Sequence, residues 1–175
     1  MGFTDSYAPA NFSLTNSNAD GFVNTSGAPA SISITGGDNG SSSFGSTKFF
    51  TTAAAAGLVS FDWNYSTQDA QSFDPSFDPF GFNLNGVFTQ LTNSFGAQSQ
   101  FGTASFNVAL GDTFGFEVQT IDNIFGRATV TISNFNALAP TPIPTPALLP
   151  GLIGMGVAAL RQRKGEALAE ASEEA

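Results

Sequence analysis

Residues 57–66 read Gly-Leu-Val-Ser-Phe-Asp-Trp-Asn-Tyr-Ser, and this stretch decides the fold. Val59, Phe61, Trp63 and Tyr65 fall on one side of an extended chain, and Ser60, Asp62, Asn64 and Ser66 fall on the other. Successive side chains of a strand point to opposite faces, so the pattern predicts a half-buried strand with a polar outer side. Trp63 and Tyr65 share the phase of Val59 and Phe61, which assigns both to the core.

The same period recurs on either side. Ser31-Ile32-Ser33-Ile34-Thr35 alternates and stops at Gly36-Gly37. Residues 80–84 and 87–91 flank Asn85-Gly86, a pair that tolerates the positive φ of a type I′ turn, which sets Leu84 opposite Val87 and Phe80 opposite Leu91. Ala104, Phe106, Val108 and Leu110 alternate up to Gly111-Asp112, and Phe114, Phe116 and Val118 alternate beyond it, as in a second hairpin. Residues 127–135 make a last strand, with Ala128, Val130 and Ile132 inward. Residues 11–15, 20–25 and 48–54 are weaker strands, and 38–46 form a flexible loop. Eight or nine short strands without a helix predict an all-β fold, an antiparallel, jelly-roll-like β-sandwich.

Composition divides the 175 residues near position 139. All 19 Phe, Trp63, Tyr7 and Tyr65 precede it, whereas five of the nine Pro lie at 140–150. Residues 1–139 carry nine Asp and Glu117 against Lys48 and Arg127, a net charge of −8. Such a surface repels phosphate backbones and excludes nucleic acid as a partner. There is no Cys, so disulfides and thiolate metal sites are excluded, and no His to serve as the usual general base. A carboxylate pair would be the remaining catalytic route, yet Asp62 and Glu117 both lie in the outward phase, as solvated side chains do. No catalytic residue is assigned, and the chain is read as a non-enzyme.

Two stretches carry binding chemistry. Asp69, Asp74 and Asp78, with Gln68 and Gln71 nearby, could hold a structural calcium, although their spacing fits no calcium-loop motif. No other cofactor is expected. Phe73, Phe77 and Phe88 are the aromatic candidates for contact with sugar rings.

After residue 139 the pattern changes. Pro140, Pro142, Pro144 and Pro146 impose an extended spacer over 140–146. Residues 147–160 hold no charge, and Arg161, Arg163 and Lys164 end the run as a stop-transfer cluster. Leu152, Ile153, Met155, Val157 and Leu160 cover every side of a helix, which leaves no polar face for a helix packed on the domain. Fourteen apolar residues are fewer than the ~20 of a lasting span. The expectation is a short transmembrane helix over 147–164 and an acidic cytoplasmic tail over 165–175. Met1-Gly2-Phe3-Thr4-Asp5 shows neither basic n-region nor apolar h-region, so a leader upstream of Met1 is expected. Met1-Gly2 with Ser6 matches a myristoylation pattern only superficially.

Pro144-Thr145-Pro146-Ala147-Leu148-Leu149-Pro150, followed by the apolar run and the basic cluster, resembles the PEP-CTERM sorting signal. It is closest to the Pro-Thr-Pro-Ala variant of cyanobacteria, with Thr145 where the eponymous Glu would stand. The resemblance implies an exosortase-like protease as partner, a passing inner-membrane intermediate, and a final place at the cell surface or outside it. Residues 59–67, 78–82 and 125–132 are similar to the bodies of cyanobacterial proteins with such tails. The function expected is a structural or adhesive role in an extracellular matrix; the alternative is a secreted carbohydrate-binding module with an extracellular polysaccharide as partner.

Overall fold

Alternation becomes two facing sheets in the computed structural model, which describes residues 2–69 and 75–140. The strands are β1 (Ser13–Ser17), β2 (Phe22–Asn24), β3 (Ser31–Thr35), β4 (Gly45–Thr52), β5 (Gly57–Thr67), β6 (Phe80–Leu84), β7 (Val87–Gln90), β8 (Ser99–Val108), β9 (Thr113–Thr120) and β10 (Ala128–Asn136). One sheet runs β1-β4-β9-β6-β7 and the other β2-β3-β10-β5-β8. Every pairing is antiparallel. From β3 onward the orders β3-β10-β5-β8 and β4-β9-β6-β7 are the winding of a jelly roll, with β1 and β2 added at one edge of each sheet. The described residues belong to one compact unit, Met1–Pro140.

The core lies where the alternation predicts. Val59, Phe61, Trp63 and Tyr65 of β5 are all buried, as are Ile32 and Ile34 of β3 and Ala128, Val130 and Ile132 of β10. A fully buried side chain of this size contributes roughly 1.5–3 kcal/mol relative to exposure. Aromatic pairs knit the sheets together: the Phe82 ring of β6 stacks on Phe106 of β8 at 4.2 Å. Before β1, two 3-10 turns (Asp5–Tyr7 and Pro9–Asn11) carry further rings into the core. Phe3 stacks on Phe135 at 4.7 Å, and the Tyr7 hydroxyl donates to the Leu138 carbonyl (3.0 Å) while accepting from the Ala54 N–H (3.0 Å).

The β6–β7 hairpin has the expected register, Leu84 opposite Val87, around a turn with φ of 51° at Asn85 and 86° at Gly86. The second expected hairpin does not form. Among the described residues β8 pairs only with β5, whereas β9 lies between β4 and β6 in the facing sheet, so Gly111-Asp112 turns an arch between layers. Alternation reports which face of a strand is covered and is silent about its neighbour. Leu110, expected inward, is exposed at the tip of this arch. The loop expected to be flexible is tied down: the Asn18 side-chain amide donates to Ser43 Oγ (2.9 Å) and the Phe44 carbonyl (2.9 Å), and the Gly40 N–H donates to the Asn123 carbonyl (2.9 Å). Its last two residues, Gly45 and Ser46, belong to β4.

Candidate functional site

A two-layer sandwich offers two outer faces, and their polar groups are used differently. On the β4-β9-β6 face, Glu117 was expected in solvent but is buried. Central in its sheet, it accepts from the Asn83 amide (2.8 Å) and from the Gln119 amide (3.0 Å), and Lys48 Nζ lies 3.6 Å away. Asn83 in turn accepts from the Gly86 N–H (2.9 Å). Half-buried Phe50 and Phe88 share this face; a Cβ on Gly81 would stand 2.8 Å from the Phe88 ring, so the glycine lets that ring lie close. The network satisfies itself, and a dent of about 160 Å³ lies beside Lys48 and Phe50.

The β10-β5-β8 face is the reverse. Register aligns Ser133, Asp62 and Thr103 in one row and Thr131, Asn64 and Phe101 in the next. A hollow of about 460 Å³ lies there, lined by Asp62, Asn64, Phe101, Gly102, Thr103 and Ser133 together with Trp63. Phe101 is 83 % exposed. The side chains of Asn64, Thr103 and Ser133 hydrogen-bond to nothing among the described residues. Asp62 is held on one oxygen: the Asn134 amide donates to its Oδ2 (2.6 Å), and Oδ1 stays open to a ligand. Asn134 reaches it because β10 bulges between Ser133 and Asn136, with φ of 49° at Asn134; bulges commonly re-aim a side chain in this way. Beneath the strand, the buried Trp63 indole N–H has no hydrogen-bond partner among the described residues. The arrangement is a shallow apolar platform ringed by one carboxylate, one amide and two hydroxyls, suited to binding a polyhydroxylated ligand. It offers no paired carboxylates. Asp62 and Glu117 stand on opposite outer faces, farther apart than the ~10 Å between sheets and so beyond the ~5–9.5 Å of a glycosidase pair.

The calcium candidates are partly assembled. Asp69 and Asp78 are both buried, and Asp74 lies outside the described residues. Thr67 Oγ1 donates to Asp78 Oδ2 (2.8 Å) and accepts from the Asp69 N–H (3.1 Å), while the Tyr65 hydroxyl donates to the Asp78 carbonyl (3.0 Å). Burial pushes the Asp78 carboxyl up to about 7, opposed by the Thr67 hydrogen bond and reinforced by the charges of Asp69 and Asp122. The same burial, with Asp78 beside it, raises the Tyr65 phenol. Asp122 comes from the β9–β10 connection, and no sequence spacing linked it to Asp78. Among the described residues no group of three acidic side chains is placed to hold a metal ion.

Of the aromatic candidates, Phe77 and Phe88 are half-buried and Phe73 lies outside the described residues. The rings that stand furthest into solvent are Phe95 and Phe101, the former on the turn folded against Gln100, while Phe22, Phe44 and Phe125 are about half exposed. Phe101 carried a usable signal: it shares the outward phase of Thr103 and Ser105, which shows once β8 is begun at Ser99. The sorting motif Pro144, Thr145, Pro146 and Ala147 and the cluster Arg161, Arg163 and Lys164 lie outside the described residues. Among the described residues no helix is long and apolar enough to cross a membrane.

No family model matches the chain, and no curated protein matches it in sequence. Solved β-sandwiches resemble it in shape. A structure described as showing the promiscuous specificity of carbohydrate-binding modules of the β-sandwich superfamily has a TM-score of 0.48 at 13 % identity, covering 78 % of this chain and 60 % of that one. The N-terminal cellulose-binding domain of Cellulomonas fimi β-1,4-glucanase C has a TM-score of 0.41 at 10 % identity, covering 73 % and 90 %. A family 35 carbohydrate-binding module from Clostridium thermocellum has a TM-score of 0.38 at 11 % identity, covering 68 % and 90 %.

Proposed function

We propose that this chain is an exported β-sandwich that binds a neutral polysaccharide on the outer face of β5, β8 and β10. The observation that carries the reading is Phe101, an exposed ring beside a hollow whose polar side chains have bonding capacity left over. A pyranose presents apolar C–H groups on its faces and hydroxyls around its rim. The negative π face of a phenyl ring attracts those C–H groups, while a carboxylate and an amide accept from and donate to the rim. The net charge of −8 on residues 1–139 disfavours uronate or sulfated glycans, so the ligand is neutral. Affinity electrophoresis through gels containing neutral polysaccharides tests this. Wild type is retarded and Phe101→Ala is not; equal mobility of the two in every gel refutes the assignment.

Delivery to the outside rests on the resemblance of residues 144–164 to a sorting signal, and an adhesive role in a matrix would follow from polysaccharide binding there. Fractionation with and without the sorting protease tests the export step: the mature surface protein lacks residues 147–164, and a tail retained on it contradicts transient anchoring. Calcium at Asp69 and Asp78 belongs to the same proposal. Added calcium raises the melting temperature at pH 8, and an unchanged value with calcium or chelator removes it.

A further inference from the structure

We infer that β8 pairs edge to edge with β8 of a second copy of this chain, antiparallel about Thr103, joining two sandwiches through one continuous sheet. β8 is an outer strand of its sheet, ten residues long, and its register with β5 runs unbroken from Val108 opposite Gly57 to Ser99 opposite Ser66. The hydrogen bond from the Thr67 N–H to the Gln98 carbonyl (3.0 Å) fixes the phase of the main chain. Even-numbered residues turn their peptide groups toward β5. Ser99, Phe101, Thr103, Ser105 and Asn107 turn theirs away, and no described group bonds them.

Proteins protect such edges with short strands, charges, proline or bulges. The other three edges here are short: β1 has five residues, β2 three and β7 four. β8 has none of these protections, because Ser-Gln-Phe-Gly-Thr-Ala-Ser-Phe-Asn-Val contains no charge and no proline and its ladder has no bulge. A long bare edge in a soluble fold is explained by a strand that covers it.

A second copy fits because the edge is self-complementary. With Thr103 opposite the partner's Thr103, Phe101 faces the partner's Ser105 and Ser99 faces the partner's Asn107. Each facing pair exchanges two main-chain hydrogen bonds. The acidic bodies meet where no charge opposes charge. Asp62 lies in the Thr103 row one strand back, so the two Asp62 carboxylates stand three strand spacings apart, about 14 Å. That exceeds the screening length of about 8 Å at physiological salt. The pairing also repeats the Phe101 hollow on one extended face, though it holds whether or not that hollow binds a glycan.

Sedimentation of the full chain over a concentration series tests the pairing, with amide hydrogen exchange as a second reading. Wild type forms a concentration-dependent dimer, and the amides of Phe101, Thr103 and Ser105 exchange slowly in the dimer and fast on dilution. Thr103→Pro removes an outward N–H, and Thr103→Lys sets two like charges side by side; both are monomeric. A wild type that stays monomeric up to millimolar concentration overturns the inference. So does a dimer that survives both substitutions, or one that leaves the three wild-type amides in fast exchange.

Discussion

Asp78 shows how far a single carboxyl can depart from what its sequence position suggests. Its two neighbouring prolines, Pro75 and Pro79, read as turn chemistry, yet the fold buries the side chain and raises its ionisation to about 7 from an ordinary 3.8. A carboxyl raised in the folded state binds a proton there that it has lost in the unfolded state. Its contribution to stability is therefore complete below about 4 and is lost as the pH rises through 7. Without calcium, the melting temperature should be several degrees higher at pH 5 than at pH 8, and Asp78→Asn should flatten that difference. A wild-type melting temperature that rises from pH 5 to pH 8 would contradict the assignment. Strand phase placed Trp63, Tyr65 and Asp62 correctly but misread Glu117. Phase tells which way a side chain points, whereas the exposure of Glu117 depends on Lys48 and Asn83, which arrive from other strands.

Strands were legible wherever one face is apolar and the other polar, as in β3, β5 and β10. β1 was hard to see because all five of its residues are exposed and no alternation marks it. The β6–β7 hairpin was legible because Asn85-Gly86 encodes its own turn. The β8–β9 connection was not, because a tight turn between two amphipathic strands can close a hairpin or cross between layers. Gly102 belongs with β8: a Cβ there would stand 2.9 Å from Trp63 Cζ2 and 3.0 Å from Cε2. Gly102→Ala should therefore destabilise the fold by roughly 1–2 kcal/mol in urea unfolding, the cost of overpacking less a small gain in chain entropy. Equal or greater stability would show that the indole shifts freely.

The jelly-roll winding follows from which strands cross between layers, and that information lies in pairings between distant segments. β3 pairs with β10, and β4 with β9, which joins early and late segments of the sandwich. Tyr7 closes the same circuit by bonding Leu138 and Ala54. Composition alone read the polarity of the assembled body, and under the proposed function its acidity favours a neutral glycan over a charged one. The two outer faces differ only once the strands are assembled: one network is satisfied by its own groups, while the other leaves Asp62, Asn64, Thr103 and Ser133 with capacity beside Phe101. Titration with a neutral oligosaccharide, followed residue by residue through backbone amide shifts, tests that choice most directly. The account predicts saturable shifts centred on Asp62, Asn64, Phe101, Thr103 and Ser133 in wild type, lost in Phe101→Ala. Shifts centred instead on Lys48, Phe50 and Asn83, or none with any neutral glycan, would contradict it.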